Sequence, residues 1–162
     1  MSNACYLGLG SNLRSPERQL HHALTALRCI PHTTIEKQSR PLFSQAMGLR
    51  AQPNYCNAVV LINTTLPPEK LLQFCQHIEA SQGRVRKKRW GSRTLDIDIL
   101  LYDTLEYHSP TLTLPHPQLL QRDFVLIPLL SLAPSLCLPN GHPLQGALNG
   151  LERTSVIRPK QD

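Results

Sequence analysis

The segment Asn57–Thr65 reads NAVVLINTT, a β-branched, apolar run that is the strongest strand signal in the chain. Immediately after it, Pro67-Pro68-Glu69 opens a helix, with proline in the first turn and an acid near the N-terminus. Leu71, Leu72, Cys75, Ile78 and Glu79 fall near one face of that helix, and Gly83 closes it. Before the strand, Arg40–Pro53 has no period, two prolines and Gly48, and is expected to be a loop. Thr33–Ser39 is a weaker strand that would pair antiparallel with Asn57–Thr65. Further upstream, Ser15-Pro16-Glu17 starts a helix carrying Leu20, Ala23, Leu24 and Leu27, which Pro31 stops. Ala4–Gly10 (ACYLGLG) is a first strand. Downstream, Leu95–Tyr102 (LDIDILLY) is a last strand, alternating in its first half. Beyond it the chain is punctuated by Pro110, Pro115 and Pro117. A short apolar helix, Phe124–Leu132, precedes a tail with Pro139, Gly141 and Pro143.

The order β-α-β-β-α-β is the split βαβ arrangement of ferredoxin-like folds. The expected class is α/β (α+β): an antiparallel-containing sheet with two helices on one face. The other face is left to active-site loops and the C-terminal segment. At 162 residues the expectation is a single domain, 1–162. The hydrophobic fraction of 41% supplies a packed core and excludes global disorder. No apolar run approaches the roughly 18–20 residues of a membrane-spanning helix. The N-terminus shows no basic, then apolar, secretory pattern. Five scattered cysteines without a CxxC pair argue against a disulfide framework and a Cys-rich zinc site. The expectation is a cytoplasmic monomer that binds neither membrane nor nucleic acid.

Charge is concentrated. The net charge is +6, and Arg84, Arg86, Lys87, Lys88, Arg89 and Arg93 lie in the stretch RVRKKRWGSR. Without those six, 11 basic residues balance 11 acidic ones. The excess therefore points to one local anion site. Asp96 and Asp98 follow at once. Residues i and i+2 of a strand share a face, and two neighbouring carboxylates repel unless a cation lies between them. Mg²⁺ takes one or two carboxylates together with substrate phosphates. A carboxylate pair beside a cationic loop is the inventory of phosphoryl transfer. The segment contains no GxxxxGK[ST]. Gly8-Leu9-Gly10 lacks the third glycine of a dinucleotide fingerprint and allows either a tight strand exit or the close approach of another segment. Tyr55 and Phe124 are either ordinary core or a pair that sandwiches a flat heterocycle, with Asn57 reading its polar edge. Trp90 is a stacking surface or a loop anchor. His116, fixed in LPHP near Arg122, is either structural or a phosphate contact.

Four blocks carry a resemblance over nearly the whole length: YLGLGSNL, PNYCNAVV, GRVRKKRWGSRTLDIDILLYD and LPHPQLLQRDFVLIPL. In this order they resemble the 6-hydroxymethyl-7,8-dihydropterin pyrophosphokinase family of folate biosynthesis. The resemblance implies a ferredoxin-like fold and transfer of pyrophosphate from ATP to 6-hydroxymethyl-7,8-dihydropterin, with release of AMP. It implies that Asp96 and Asp98 hold two Mg²⁺ ions. It implies catalytic roles at phosphate for Arg84 and Arg93, with Arg86 and Trp90 in the same loop. Tyr55 and Phe124 match the pterin sandwich, Asn57 its hydrogen-bonding partner, and Ser44 and Met47 further pterin contacts. Gln76, Glu79, His116 and Arg122 match nucleotide-side positions, and Ile99 and Thr113 positions near adenine. Ser92 replaces a proline of the family motif, and Phe43–Ala51 keeps Gly48 but otherwise departs from the pattern. A dedicated general base is not identified. The rival class is an RNA-binding ferredoxin-like module. Against it, the RNP1 pattern of glycine and closely spaced aromatics is absent.

Overall fold

The computed structural model describes residues 2–11, 16–44, 55–82, 95–151 and 156–157. Its elements run β1 (Asn3–Ser11), α1 (Pro16–Leu27), β2 (Thr33–Gln38), β3 (Leu42–Ser44), β4 (Tyr55–Thr64), α2 (Pro68–Ser81) and β5 (Asp96–Tyr102). Two short strands follow, β6 (Tyr107–His108) and β7 (Thr113–Leu114), then α3 (Asp123–Leu132), α4 (Leu144–Asn149) and β8 (Val156–Ile157). In the main sheet β1 lies between β5 and β4, antiparallel to both, and β2 pairs antiparallel with β4. The order β5-β1-β4-β2 is the ferredoxin-like one expected from the sequence.

The expected loop over Arg40–Pro53 contains a strand. Leu42–Ser44 pairs with Tyr55–Asn57, and β8 adds to its far side. β2 and β3 thus share one edge of β4, interrupted at Pro41, which has no N–H for a ladder. Ser39 bridges the interruption. Its N–H donates to the Val59 carbonyl (2.8 Å) and its Oγ accepts from the Val59 N–H (2.8 Å). Three residues are too few to show a period, so this strand is not readable from the sequence alone. The same holds for α4, a six-residue helix within the segment expected to be tail.

The sheet separates two apolar layers. Cys5, Leu7 and Leu9 of β1, Cys56, Ala58, Val60 and Ile62 of β4, and Ile97 and Ile99 of β5 face α1 and α2. There they meet Leu20, Ala23 and Leu27 of α1 and Leu71, Cys75 and Ile78 of α2, spaced as one helical face requires. On the opposite face Val59, Leu100 and Leu101 pack with Leu119 and with Val125, Leu126, Leu129 and Leu130 of α3 and Leu144 of α4. That face is therefore only partly left to loops, because the C-terminal helices cover part of it. A register shift between Tyr6 and Leu7 of β1 leaves Leu100 without its own partner. Leu100 and Leu101 consequently both join the second layer. No helix among the described residues is long and apolar enough to cross a membrane.

Cys5, Cys56 and Cys75 are fully buried, and burial is the main cause that pushes each thiol up to about 12. Cys29 and Cys137 are exposed. A thiol reagent at pH 8 is therefore expected to label Cys29 and Cys137 rapidly and the other three only on unfolding. Peptide mapping of the labelled native protein checks this, and early labelling of Cys75 would contradict the core assignment.

Candidate active site

β5 divides its side chains by alternation. Leu95, Ile97 and Ile99 enter the layer beneath α1 and α2, while Asp96 and Asp98 are half-exposed on the other face. Across the sheet Gly10 pairs with both Asp96 and Asn57, and Gly8 pairs with both Asp98 and Val59. The two rows place glycine at the centre of each. A Cβ added to Gly10 would lie 2.9 Å from Asn57 Nδ2, and one added to Gly8 would lie 3.4 Å from the Leu100 side chain. Of the two readings of the glycine pair, close approach is the one realised: the Asn57 amide lies over Gly10. Asn57 Oδ1 is buried with no hydrogen-bond partner among the described residues. Interstrand spacing sets Asn57 about 10 Å from Asp96 across β1.

Asp98 has two cationic or potentially cationic neighbours. His116 Nε2 and Arg122 Nη1 each lie 3.9 Å from one of its carboxylate oxygens. His116 Nδ1 accepts the Gln118 N–H at 3.1 Å, which leaves the ring proton on Nε2, facing Asp98. Burial lowers the His116 pKa below 6.5, Asp98 opposes this and Arg122 reinforces it, so the ring is neutral at pH 7. Arg122 also donates to Gln118 Oε1, and its guanidinium carbon sits 5.8 Å from the Phe124 ring centre. Gln118, not among the expected site residues, thus holds both His116, through its backbone N–H, and Arg122, through its side-chain oxygen.

A cavity of about 410 Å³ opens beside this group. Asp98 and His116 stand at its wall, together with Ile97 and Ile99 of β5, Leu72 of α2 and the β6–β7 hairpin, Thr113 included. The arrangement brings together Asp98, Ile99, Thr113 and His116. It does not bring Gln76 to this cavity: Gln76 is an exposed residue of α2. Glu79, expected on the nucleotide side, lies beneath β5 at the end of α2. It is 6% exposed, and its Oε2 accepts the Ile97 N–H at 2.9 Å, between the two aspartates. Ser44 and Tyr55 are opposed in the β3–β4 ladder. Met47, Arg84, Arg86, Trp90 and Arg93 lie outside the described residues, as do the side chains of Ser44 and Tyr55.

A sequence model of the 7,8-dihydro-6-hydroxymethylpterin-pyrophosphokinase (HPPK) family matches residues 6–134. The chain belongs to the HPPK family. Among its relatives is the 2-amino-4-hydroxy-6-hydroxymethyldihydropteridine pyrophosphokinase of Haemophilus influenzae, 47% identical over 135 residues, 83% of this chain and 84% of that one. The Pseudomonas aeruginosa protein of the same name is 42% identical over 158 residues, covering 94% of this chain and 98% of that one. In the crystal structure of Plasmodium falciparum HPPK-DHPS A437G with SDX-DHP, a similar fold covers 92% of this chain at a TM-score of 0.73 and 13% identity. This chain spans 45% of the length of that one, and the likeness bears on the fold alone.

Within this HPPK chain Glu79 is the acceptor of a buried strand N–H. Glu79→Ala leaves the buried Ile97 N–H without that acceptor and is expected to cost about 1–3 kcal/mol in denaturant unfolding. Glu79→Gln, which keeps an oxygen, is expected to cost less. Amide exchange at Ile97 reports the same link, and unchanged protection in Glu79→Ala would refute it.

Proposed function

We propose that the chain works as a single-domain pyrophosphokinase, 1–162, in which the two ends of a pair of cross-strand rows on one sheet face divide the substrates. The reaction transfers pyrophosphate from ATP to the hydroxymethyl group of 6-hydroxymethyl-7,8-dihydropterin. The alcohol oxygen attacks the β-phosphorus, the bond from the β-phosphorus to the α-β bridging oxygen breaks, AMP leaves and the alcohol proton is released. The observation that carries the division of roles is the pair of rows Asn57–Gly10–Asp96 and Val59–Gly8–Asp98. One end offers an amide oxygen that is buried and unpartnered among the described residues, and the other a same-face carboxylate pair of which Asp98 lines a 410 Å³ cavity.

The cavity side takes the nucleotide, with Ile99 and Thr113 near the base and His116 and Arg122 toward phosphate. Gln76 and Glu79 keep the nucleotide-side assignment, Glu79 acting through the backbone of β5. The β4 side takes the pterin, with Asn57 accepting from its ring N–H groups and Tyr55 and Phe124 covering its faces. Ser44 and Met47 add to that pocket. Two aspartates with room for phosphate oxygens suit Mg²⁺, which needs few protein ligands. Bound by Asp96 and Asp98, two Mg²⁺ ions would neutralise phosphate charge and acidify the attacking alcohol. His116, neutral with its proton on Nε2, donates rather than accepts at the phosphate end. Arg84 and Arg93 neutralise charge as AMP departs, with Arg86 and Trp90 in the same segment. The ring sandwich and the amide set the alcohol in line with the β-phosphorus, the main contribution a protein makes to such a transfer. A monomeric state and a cytoplasmic location belong to the same proposal.

Asp96→Ala and Asp98→Ala are each expected to lower AMP formation by more than about 100-fold with the fold retained. Full activity of either variant with MgATP and the reduced pterin would remove that aspartate from the metal site. Gly10→Ala must displace the Asn57 amide, and is expected to weaken pterin binding by up to about tenfold while ATP binding holds. Isothermal titration with each substrate separates the two.

A further inference from the structure

The wall of the nucleotide cavity opposite α2 is the β6–β7 hairpin, and two-residue strands cannot hold it in place. Its ladder consists of Tyr107 opposite Leu114 and His108 opposite Thr113, apart from the main sheet. A two-stranded hairpin is marginal on its own in water. Leu112 and Leu114 anchor its returning limb in the core. On the outgoing limb Tyr107 packs against the same core only in part, and hydrogen bonds hold this limb and the turn as well. Glu69, in the first turn of α2, accepts three hydroxyls: Tyr107 Oη (2.7 Å) and Ser109 Oγ (2.5 Å) on Oε2, and Thr111 Oγ1 (2.7 Å) on Oε1. Ser109 is at the same time the pivot of the turn. Its N–H donates to the Leu112 carbonyl at 2.8 Å, and its Oγ accepts the Leu112 N–H at 3.0 Å.

We propose that Glu69 is a positioning residue for the nucleotide: its carboxylate clips the β6–β7 turn to α2 and thereby sets the width of the cavity between them. The inference rests on the nucleotide assignment above. Leu72 lies one turn beyond Glu69 on α2 and lines the cavity, while Ser109, Thr111 and Leu112 line the facing wall. One helix therefore carries both a wall of the slot and the tether of the opposite wall. α2 is a fixed reference, since Leu71 and Cys75 are fully buried. The charge suits its place, because a carboxylate is favoured at a helix N-terminus. Hydrogen bonds from Ser109, then Thr111 and Tyr107, hold its pKa below the ordinary value, so it is ionised at neutral pH and accepts from all three hydroxyls at once. Glu69 has no contact with the reacting atoms in this account. Its effect is on how well the slot fits a flat base and its ribose.

The test uses the full chain, Mg²⁺ and α,β-methylene-ATP, with calorimetric Kd alongside steady-state kinetics. Glu69→Ala is expected to raise the nucleotide Kd and the KM for ATP roughly five- to tenfold, with a smaller change in kcat at saturating ATP and in KM for the pterin. Glu69→Gln, which retains one oxygen acceptor, is expected to fall between Glu69→Ala and the parent. Tyr107→Phe, Ser109→Ala and Thr111→Val combined should reproduce the Glu69→Ala effect, and adding Glu69→Ala to them should change nothing further. Unchanged nucleotide affinity in Glu69→Ala overturns the proposal. So does a parallel loss of ATP and pterin affinity with a lowered Tm, which marks a residue needed only for folding. If the parent chain itself fails to bind the analogue, the nucleotide assignment falls and the clip with it; binding that is insensitive to Glu69 leaves the assignment standing and removes only the clip.

Discussion

A slip of one residue between β5 and β1 would send Asp96 and Asp98 into the layer beneath α1 and α2 and turn Ile97 and Ile99 out to solvent. Burying two carboxylates without partners costs several kcal/mol each, and the lost burial of two isoleucines adds to it, so the register is strongly specified. Three local features agree with it. The alternation of Leu95, Ile97 and Ile99 with the aspartates sets the parity. The register shift by which Leu100 and Leu101 both join the second layer ends that alternation at the point where the sheet meets α3. Glu79 holds the Ile97 N–H from the outer edge of the strand. Everything that makes the site follows from this register, because it decides which side chains stand opposite Gly8 and Gly10.

Those glycines turn a strand that is ordinary on one face into a bed on the other. Cys5, Leu7 and Leu9 are fully used as core. On the reverse face the room left at positions 8 and 10 is taken by Leu100 from one neighbour and the Asn57 amide from the other. A single strand thus serves hydrophobic packing and ligand access without conflict, and the cost is only the weaker strand propensity of glycine. The second apolar layer under α3 and α4 closes the rest of that face. At the edge of that layer Arg122, just before α3, stands 3.9 Å from Asp98.

The long periodic elements were legible in the sequence. Tyr55–Thr64, both packed helices and Asp96–Tyr102 were readable because burial on one side writes a period of two or near 3.6 into the residues. So was the same-face pair Asp96 and Asp98. β3, β6, β7, β8 and α4 were not, since two to six residues cannot show a period and their placement comes from tertiary pairing. Glu79 was legible on the apolar face of its helix, yet nothing in a string of letters says that a strand N–H on another element awaits it. The hydroxyls around Glu69 are hidden for the same reason: hydrogen bonds between elements leave no spacing in sequence.

Three carboxylates near the cavity are engaged in different ways, and this difference separates support from chemistry. Glu69 has both oxygens taken by hydroxyls at 2.5–2.7 Å. Glu79 is buried against a backbone N–H. Asp98, by contrast, keeps His116 and Arg122 at 3.9 Å, beyond hydrogen-bond length, with its side chain 44% exposed. A carboxylate closed into a bidentate arginine pair would have to surrender that pair before a cation could enter. Held at this distance, Arg122 lowers the local potential penalty for a phosphate without occupying the oxygens a divalent ion needs. The positive excess of the chain is concentrated within Arg84–Arg93, in the sequence just before β5. In the proposed reaction an anion entering the cavity would meet the Arg122 guanidinium first and the carboxylates through Mg²⁺, an order that would favour a metal-complexed polyphosphate over either component alone.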